Sequence, residues 1–379
     1  VTPRAGLGAV AALGLLAAGC AATTSSVTSS APPPPAPLAN AVETNDGTWA
    51  TVAMGQLDDP ANTYWQLLYR AAGSSRWVDD AADTATATNG GVALAAAGGH
   101  LVAGVEPAQA LTFSPVVATS NAGRTWDDGL LPAGLASTSQ ALATSPTGAT
   151  TALLGPAGPD QRLVSTAAGL TQWRDLTTGG ALATAAPGCG VDAVDSVAYT
   201  GSGPVVGTSC SRPGAVGIFA VGAGGPMWSG PSLRAGAGTV EVLALSGGSS
   251  SFAALLEERT KRSARLVAAF SDPGLRGWTF SAPMTLDPRQ PLTSVVSRPD
   301  HGFLVLAGGA VWSLAAGGPW QPVVAPPTGT AAVVPLSGGA LAALVVDGAT
   351  LTDWDLPAGG RAWVRGQVMQ VPILFGSTT

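Results

Sequence analysis

The sequence predicts an all-β fold, a seven-bladed β-propeller with six or eight blades as the neighbouring alternatives. Three observations predict it. From about Val42 onward, short apolar runs alternate with clusters of Gly, Pro, Ser, Thr and Asn, as in GGVALAAAG, PVVATS, GFLVLAG and AALVVDG. That is the pattern of many short strands with turns between them. No convincing helical periodicity competes with it. Seven of the eleven tryptophans follow a glycine-containing turn, namely Trp77, Trp126, Trp173, Trp228, Trp278, Trp320 and Trp363, at spacings of 49, 47, 55, 50, 42 and 43 residues. A period of this length with several strands per unit is that of a propeller blade, and a closed ring leaves only short, protected strand edges.

Residues 1–19 precede the body and read as an export signal. Val1 fits a GUG start codon, Arg4 supplies the positive charge, and an apolar stretch runs from Ala5 to Ala18. It is shorter than the roughly 20 residues of a spanning helix and matches a signal core. The stretch ends in Leu16-Ala17-Ala18-Gly19-Cys20, which resembles a bacterial lipobox. Ala17 stands where Leu is commonest, with Leu16 one position further out. The resemblance implies cleavage before Cys20 and acylation of its thiol. Two or more acyl chains hold a protein stably at a membrane, so the expected location is the outer face of the cytoplasmic membrane. Residues 20–41, rich in Ser, Thr and Pro with a run from Pro32 to Pro35, read as a flexible, partly extended tether. Residues 42–379 then form the propeller.

In that body the first blade is built from GTWATVAMG, TYWQLLYR and RWVDDA. It looks one strand short, and the C-terminal QVMQVPI is expected to complete it. The second blade carries the most specific turn, Thr119-Ser120-Asn121-Ala122-Gly123-Arg124-Thr125-Trp126. An Asn side chain folds back onto the backbone in such turns, and Gly supplies positive φ. Thr119 and Thr125 are expected to pair across the hairpin, and Trp126 to pack between blades. This segment resembles the Asp-box of sialidase-type propellers, Ser/Thr-x-Asp/Asn-x-Gly-x-Thr-Trp. A degraded copy begins at Ser271-Asp272-Pro273-Gly274 and a third spans 165–173.

Cysteine usage fits an exported chain. Assigning Cys20 to the anchor leaves Cys189 and Cys210, which flank one hairpin. Their disulfide would stabilise by roughly 3 kcal/mol on a chain-entropy basis.

The resemblance to sialidases requires a test of that chemistry. The family needs three arginines, a tyrosine nucleophile with its glutamate, and an aspartate. The chain has three tyrosines and no Arg-Ile-Pro-like motif; its first blade offers Arg70 and Arg76. Glu257 and Glu258 fall in EERTKRSAR, read as a solvated hairpin. Asp58/Asp59, Asp79/Asp80 and Asp127/Asp128 are adjacent pairs, which point to opposite faces of a strand. His100 and His301, the only histidines, do not make a metal site. Trp49, Trp65, Trp312 and Trp354, outside the repeat, are expected between blades. No catalytic residue, metal or cofactor is assigned. Only 11% of residues are charged and the net charge is −6, with no basic stripe, which argues against nucleic acid. The expected role is a non-catalytic, membrane-anchored module that binds or scaffolds another protein. The alternatives are a glycan-binding or distantly glycosidase-like propeller, and an envelope sensor domain.

Overall fold

The computed structural model describes residues 40–55, 63–79, 91–106, 113–138, 140–167, 169–233, 238–287, 289 and 292–371. Cys20, the signal and residues 20–39 of the expected tether lie outside them, as do Asp58, Asp59 and Asp80, whereas Asn40 and Ala41, also expected in the tether, are buried, and Ala41 opens the first strand. The described chain is predominantly β, and its small antiparallel sheets resemble propeller blades.

The first sheet holds β1 (Ala41–Thr44), β2 (Gly47–Gly55), β3 (Thr63–Ala71) and β4 (Val78–Asp79). The second holds β5 (Val92–Ala97), β6 (His100–Val105), β7 (Ser114–Thr119) and β8 (Asp127–Leu131), and the third β9 (Leu142–Thr144), β10 (Thr150–Leu154), β11 (Arg162–Thr166) and β12 (Arg174–Thr178). A nine-stranded sheet follows. Its first part is β13 (Val191–Thr200), β14 (Gly203–Cys210), β15 (Gly217–Gly222) and β16 (Gly225–Trp228). Its second is β17 (Thr239–Gly247), β18 (Phe252–Arg259), β19 (Ala264–Ser271), β20 (Thr279–Phe280) and β21 (Met284–Leu286). One residue pair, Cys210 with Val240, joins the two parts. The last two sheets are β22 (Leu292–Ser297), β23 (Phe303–Ala307), β24 (Ala310–Leu314), β25 (Trp320–Pro322), then β26 (Thr330–Pro335), β27 (Leu341–Asp347), β28 (Thr350–Leu356), β29 (Val364–Gln370). Each four-stranded sheet pairs its strands in chain order.

The sequence pattern explains this layering. Middle strands such as β18, FAALLEER, are buried on both faces and so read as continuous apolar runs. Fourth strands such as β29, VRGQVMQ, are largely exposed and carry the polar residues. First strands bend at register shifts, between Val194 and Ser196 in β13 and between Val242 and Ala244 in β17, as bulged strands do. One helix interrupts the pattern: α1 (Gly179–Ala185), capped by Thr178, whose side chain accepts from the Ala181 N–H.

Buried side chains join each sheet to the next. Trp49 and Leu67 of the first sheet pack with Leu101 and Val117 of the second. Val102, Leu153 and Val206 belong to one cluster that links the second sheet, the third and the first part of the nine-stranded sheet. Leu255 packs with Val305, and Leu306 with Val333, in the clusters that carry the contact onward to the last sheet. The series closes on itself, because Val52, Leu68 and Trp77 share a cluster with Val334, Leu344 and Leu351 of the last sheet. The tight stacking explains the small-residue bias. A Cβ on Gly207 would lie 2.4 Å from Ser196 Oγ and 2.5 Å from Val242.

The closure corrects an expectation. The C-terminal strand β29, which ends at Gln370, does not complete the first sheet: it pairs with β28, and the strand that the expectation lacked is the first sheet's own β1. Side chains do the joining. Arg70 on β3 donates from both terminal nitrogens to Asp355 on β28, at 2.6 and 2.9 Å, and lies 3.4 Å from Asp353. Its Nε donates to the Ser74 carbonyl, and its guanidinium lies 5.8 Å from the centre of the Trp77 ring. The Trp77 backbone N–H donates to Gln367 Oε1 on β29. A bidentate, largely desolvated arginine is stronger and more directional than an exposed pair.

Candidate functional site

Antiparallel meanders put all turns between first and second strands at one end of the sheets. At that end lies a pocket of about 270 Å³. Its walls are Glu43 near the end of β1, the β22–β23 turn with Arg298, Pro299 and Asp300, and the segment from Pro335 to Leu341. The 3-10 turn Ser337–Gly339 forms its rim, with Gly338 and Gly339 at φ 74° and 82°, a region open to glycine at no steric cost.

The polar groups of this pocket are unevenly satisfied. Arg298 donates from Nε to Asp300 Oδ1 at 3.0 Å, from Nη2 to Oδ2 at 3.2 Å, and from Nη1 to Ser313 Oγ at 2.6 Å. Asp300 Oδ1 also accepts from the Gly302 N–H. Glu43 Oε2 is buried and has no hydrogen-bond partner in the protein; burial raises the pKa of its carboxyl. His301 stands beside the pocket at φ 58°, its Nδ1 3.1 Å from Ser246 Oγ. Burial lowers its pKa, against the opposing pull of Asp300. His100, at the start of β6, occupies the corresponding turn of the second sheet.

The opposite end gathers acids. Asp195 on β13 accepts from Ser209 Oγ at 2.6 Å, and burial pushes its carboxyl up to about 8, helped by Glu241 and Asp192. Glu106 accepts from Ser137 Oγ at 2.9 Å and is pushed up to about 8, chiefly by burial. Glu257 and Glu258 correct the expectation of a solvated hairpin. Both lie in β18 at 4% and 2% exposure, paired with Arg259 and Arg265. Among the described residues no group of three His, Cys, Asp or Glu side chains is placed to hold a metal ion. No helix among them is long and apolar enough to cross a membrane.

The turn at Thr119 is built by its side chains. Thr119 Oγ1 accepts from the N–H groups of Asn121 and Gly123, at 3.3 and 3.1 Å. Asn121 Oδ1 accepts from the Thr125 N–H at 3.0 Å, and its Nδ2 donates to Thr125 Oγ1 at 2.8 Å. The two threonines therefore meet through Asn121 and not directly. Gly123 has φ 78°. At the second copy, Asp272 Oδ1 likewise accepts from the N–H four residues on, that of Arg276. Trp126 packs edge-on against Trp49 of the first sheet, with ring centres 5.7 Å apart.

The other repeat tryptophans also sit between sheets. Trp77 is 1% exposed, while Trp173, Trp228, Trp278, Trp320 and Trp363 are half-buried against the inter-sheet clusters. The Trp278 indole donates to the Ser229 carbonyl and that of Trp363 to the Val324 carbonyl, each across to the preceding strand group. Trp228 donates to Val216 and Trp173 to Leu170. Trp49 and Trp65 are buried as well, and Trp312 packs against the cluster of the fifth sheet. Cys189 and Cys210 form a disulfide, Cα to Cα 5.0 Å. Of the tyrosines, Tyr64 is in the core, Tyr69 donates to the Asp46 carbonyl and Tyr199 pairs with Thr151; none lines the pocket. Sequence reasoning missed Glu43, Arg298 and Asp300 as a group, since Glu43 lies in the first sheet and the other two in the β22–β23 turn some 255 residues on, and they share no motif.

The sequence matches no protein-family model and no curated protein. Similar solved structures exist. A protein from Lactobacillus plantarum superposes with a TM-score of 0.54 at 10% identity, over 86% of this chain and 96% of that one. The six-bladed fucose-recognising lectin of Aleuria aurantia gives a TM-score of 0.42 at 13% identity, over 90% and 98%. The polysaccharide lyase Uly1 gives 0.48 at 9% identity, over 75% and 81%. At such identities the likeness is one of fold alone, that of a predominantly β chain whose small antiparallel sheets resemble propeller blades.

Proposed function

We propose that this chain is a seven-bladed propeller that works as a binding module, with a glycan as its ligand. The nine-stranded sheet counts as two blades in this reading, and the Thr119–Trp126 turn as an Asp-box. Acylation of Cys20 holds the module at the outer face of the cytoplasmic membrane, on a tether that ends before the buried Asn40.

One observation carries the ligand class. The pocket at the end of the sheets sets three charged side chains, Glu43, Arg298 and Asp300, beside the apolar walls of Pro299, Pro335, Leu336 and Leu341. A few polar groups on apolar walls are what small-molecule sites use, and a sugar brings hydroxyls for the one and a C–H face for the other. Binding is favoured over hydrolysis because the acids that would be needed are committed elsewhere. Asp353 and Asp355 hold Arg70, Glu257 and Glu258 hold arginines, and Asp195 and Glu106 accept from serines. The tyrosines are likewise placed away from the pocket.

Docking of a protein is the second reading. Val78, Leu130, Met227, Phe280, Val364 and Val368 are exposed apolar side chains, all on fourth strands, where a partner could cover them. The deciding experiment pairs a glycan array with crosslinking capture of the anchored protein from its own membrane. Array binding without an enriched protein supports the glycan reading; an enriched protein and a silent array overturn it. A Cys20→Ala chain that still labels with a lipid precursor overturns the anchor.

A further inference from the structure

We propose that the tip of the β18–β19 hairpin rests on anionic lipid headgroups and so sets which end of the sheets faces the membrane. This is independent of the glycan reading and rests on the anchor at Cys20, which makes lipid the nearest large anion. Residues 259–265, RTKRSAR, hold four of the 17 cations of a chain whose net charge is −6. Two of the four are matched: Arg259 donates from Nε and Nη2 to Glu257 Oε1 at 3.1 and 2.6 Å, and Arg265 pairs with Glu258. Lys261 and Arg262 are exposed, and neither has an ion pair among the described residues. The turn that presents them is fixed. The Thr260 N–H donates to the Ser263 carbonyl at 2.8 Å, and Thr260 Oγ1 accepts from the N–H groups of Arg262 and Ser263 at 3.2 and 3.0 Å. Two further exposed arginines stand beside it. Arg212 lies in the β14–β15 turn, whose Gly214 N–H donates to the Gly238 carbonyl, against the backbone of Arg259. Arg289 follows β21, which pairs with β19 at Leu286 and Ala264.

The placement of this tip matches the entry of the chain. The β18–β19 turn joins a second strand to a third, so it lies at the end of the sheets opposite the β1–β2 turn. Strand β1 runs away from the hairpin's end, so the chain enters the first sheet heading away from it. Asn40 is 20 residues from Cys20, and a stretch of that length reaches at most about 70 Å. A body tied within that distance needs little more to orient it. Each Lys or Arg at an anionic surface shifts such an equilibrium about fivefold. Asp192 and Asp287 are exposed nearby, and Asp160 and Asp347 lie in turns of other sheets at this end. The attraction is therefore local to the hairpin, and the body tilts onto it.

The test uses the mature, acylated chain in phosphatidylcholine vesicles with and without phosphatidylglycerol. A fluorophore is placed on Ser263→Cys, or on Ser202→Cys in the exposed β13–β14 turn at the other end, and a lipid with a nitroxide headgroup serves as quencher. With phosphatidylglycerol present, quenching should be stronger at 263 than at 202. Lys261→Ala with Arg262→Ala should lower the docked-to-undocked ratio roughly 25-fold, two cations at about fivefold each, and high salt should lower it as well. Arg124→Ala with Arg361→Ala removes two exposed cations from turns at the other end and should leave the ratio unchanged. Equal quenching at the two sites, or quenching at 263 that ignores phosphatidylglycerol or survives the Lys261 and Arg262 substitutions, overturns the inference and leaves the anchor standing. Capture of an acidic protein through Lys261 and Arg262, with no quenching at 263, assigns the tip to that protein and overturns the lipid. A mature chain whose mass shows no acyl group on Cys20 overturns the anchor, and this inference with it.

Discussion

The closure of the sheets on one another depends on Arg70, and its removal gives the sharpest prediction. In Arg70→Met the methionine keeps much of the apolar stem over Trp77, while Asp353 and Asp355 lose their cation. The Asp353 side chain is 2% exposed and that of Asp355 27%, so Asp353 bears most of the cost. Breaking a buried pair from one side costs about 3–5 kcal/mol, and the lost contact of the guanidinium with the Trp77 ring adds about 0.5–1 kcal/mol. Solvent at Asp355 tempers its share, so a loss near 3 kcal/mol is expected from urea denaturation at pH 7.5. The loss should shrink at pH 5. Burial, with Asp355 beside it, already raises the Asp353 carboxyl to about 6 despite Arg70 and the neighbouring Trp77 indole, which does not reach hydrogen-bonding geometry. Without Arg70 the carboxyl protonates more readily still, which removes the unpaired charge. The triple variant Arg70→Met, Asp353→Leu, Asp355→Ala should recover most of the stability. A loss under about 1 kcal/mol for Arg70→Met, or one that does not diminish at pH 5, would refute the assignment of this contact as the clasp.

Three further predictions follow from the same structure. Replacing both Cys189 and Cys210 by Ala should cost roughly 3 kcal/mol for a loop of 21 residues, and the unreduced parent should show no free thiol at these two positions by mass spectrometry after alkylation. Asn121→Ala removes two hydrogen bonds that order the β7–β8 turn and should lower stability by about 1–2 kcal/mol, whereas Asn121→Asp should restore most of it. Stability should fall as pH rises from about 4 to about 8, because the folded chain holds protons on Asp353, Asp195 and Glu106 that the unfolded chain releases near pH 4. Thermal denaturation at pH 5 should therefore give a higher midpoint than at pH 8, and the opposite order would contradict the burial of these acids.

The architecture was legible in the sequence because it repeats. A glycine turn followed by tryptophan marks the same third-to-fourth strand step in successive sheets, and Asn121 and Gly123 show the folded-back side chain and the positive φ that their order suggested. Local pairs were legible too, since Cys189 and Cys210 flank one hairpin. The misreadings share a physical cause. EERTKRSAR looks solvated because its charges are adjacent in sequence, yet Glu257 and Glu258 are buried by β17 and β19 on either side and matched by arginines. Nothing local announces that Arg70 meets residues 283 and 285 positions away. Helix α1 was missed because seven residues of Gly, Ala, Leu and Thr carry too little periodicity to stand out among strands. The pocket is hidden for the same reason as the clasp: its residues become neighbours only when the last sheets stand beside the first.

That junction has a consequence for how such a chain is made and altered. Among the described residues no strand of the first sheet is borrowed from the other end of the chain, and each four-stranded sheet is one contiguous stretch. The contact of residue 70 with residue 355 cannot form until the last sheet has been synthesised. The same arrangement lets a gene gain, lose or reorder whole units without cutting through a sheet. New termini opened between two sheets would leave every hydrogen-bonded ladder intact and move only the position of the seam.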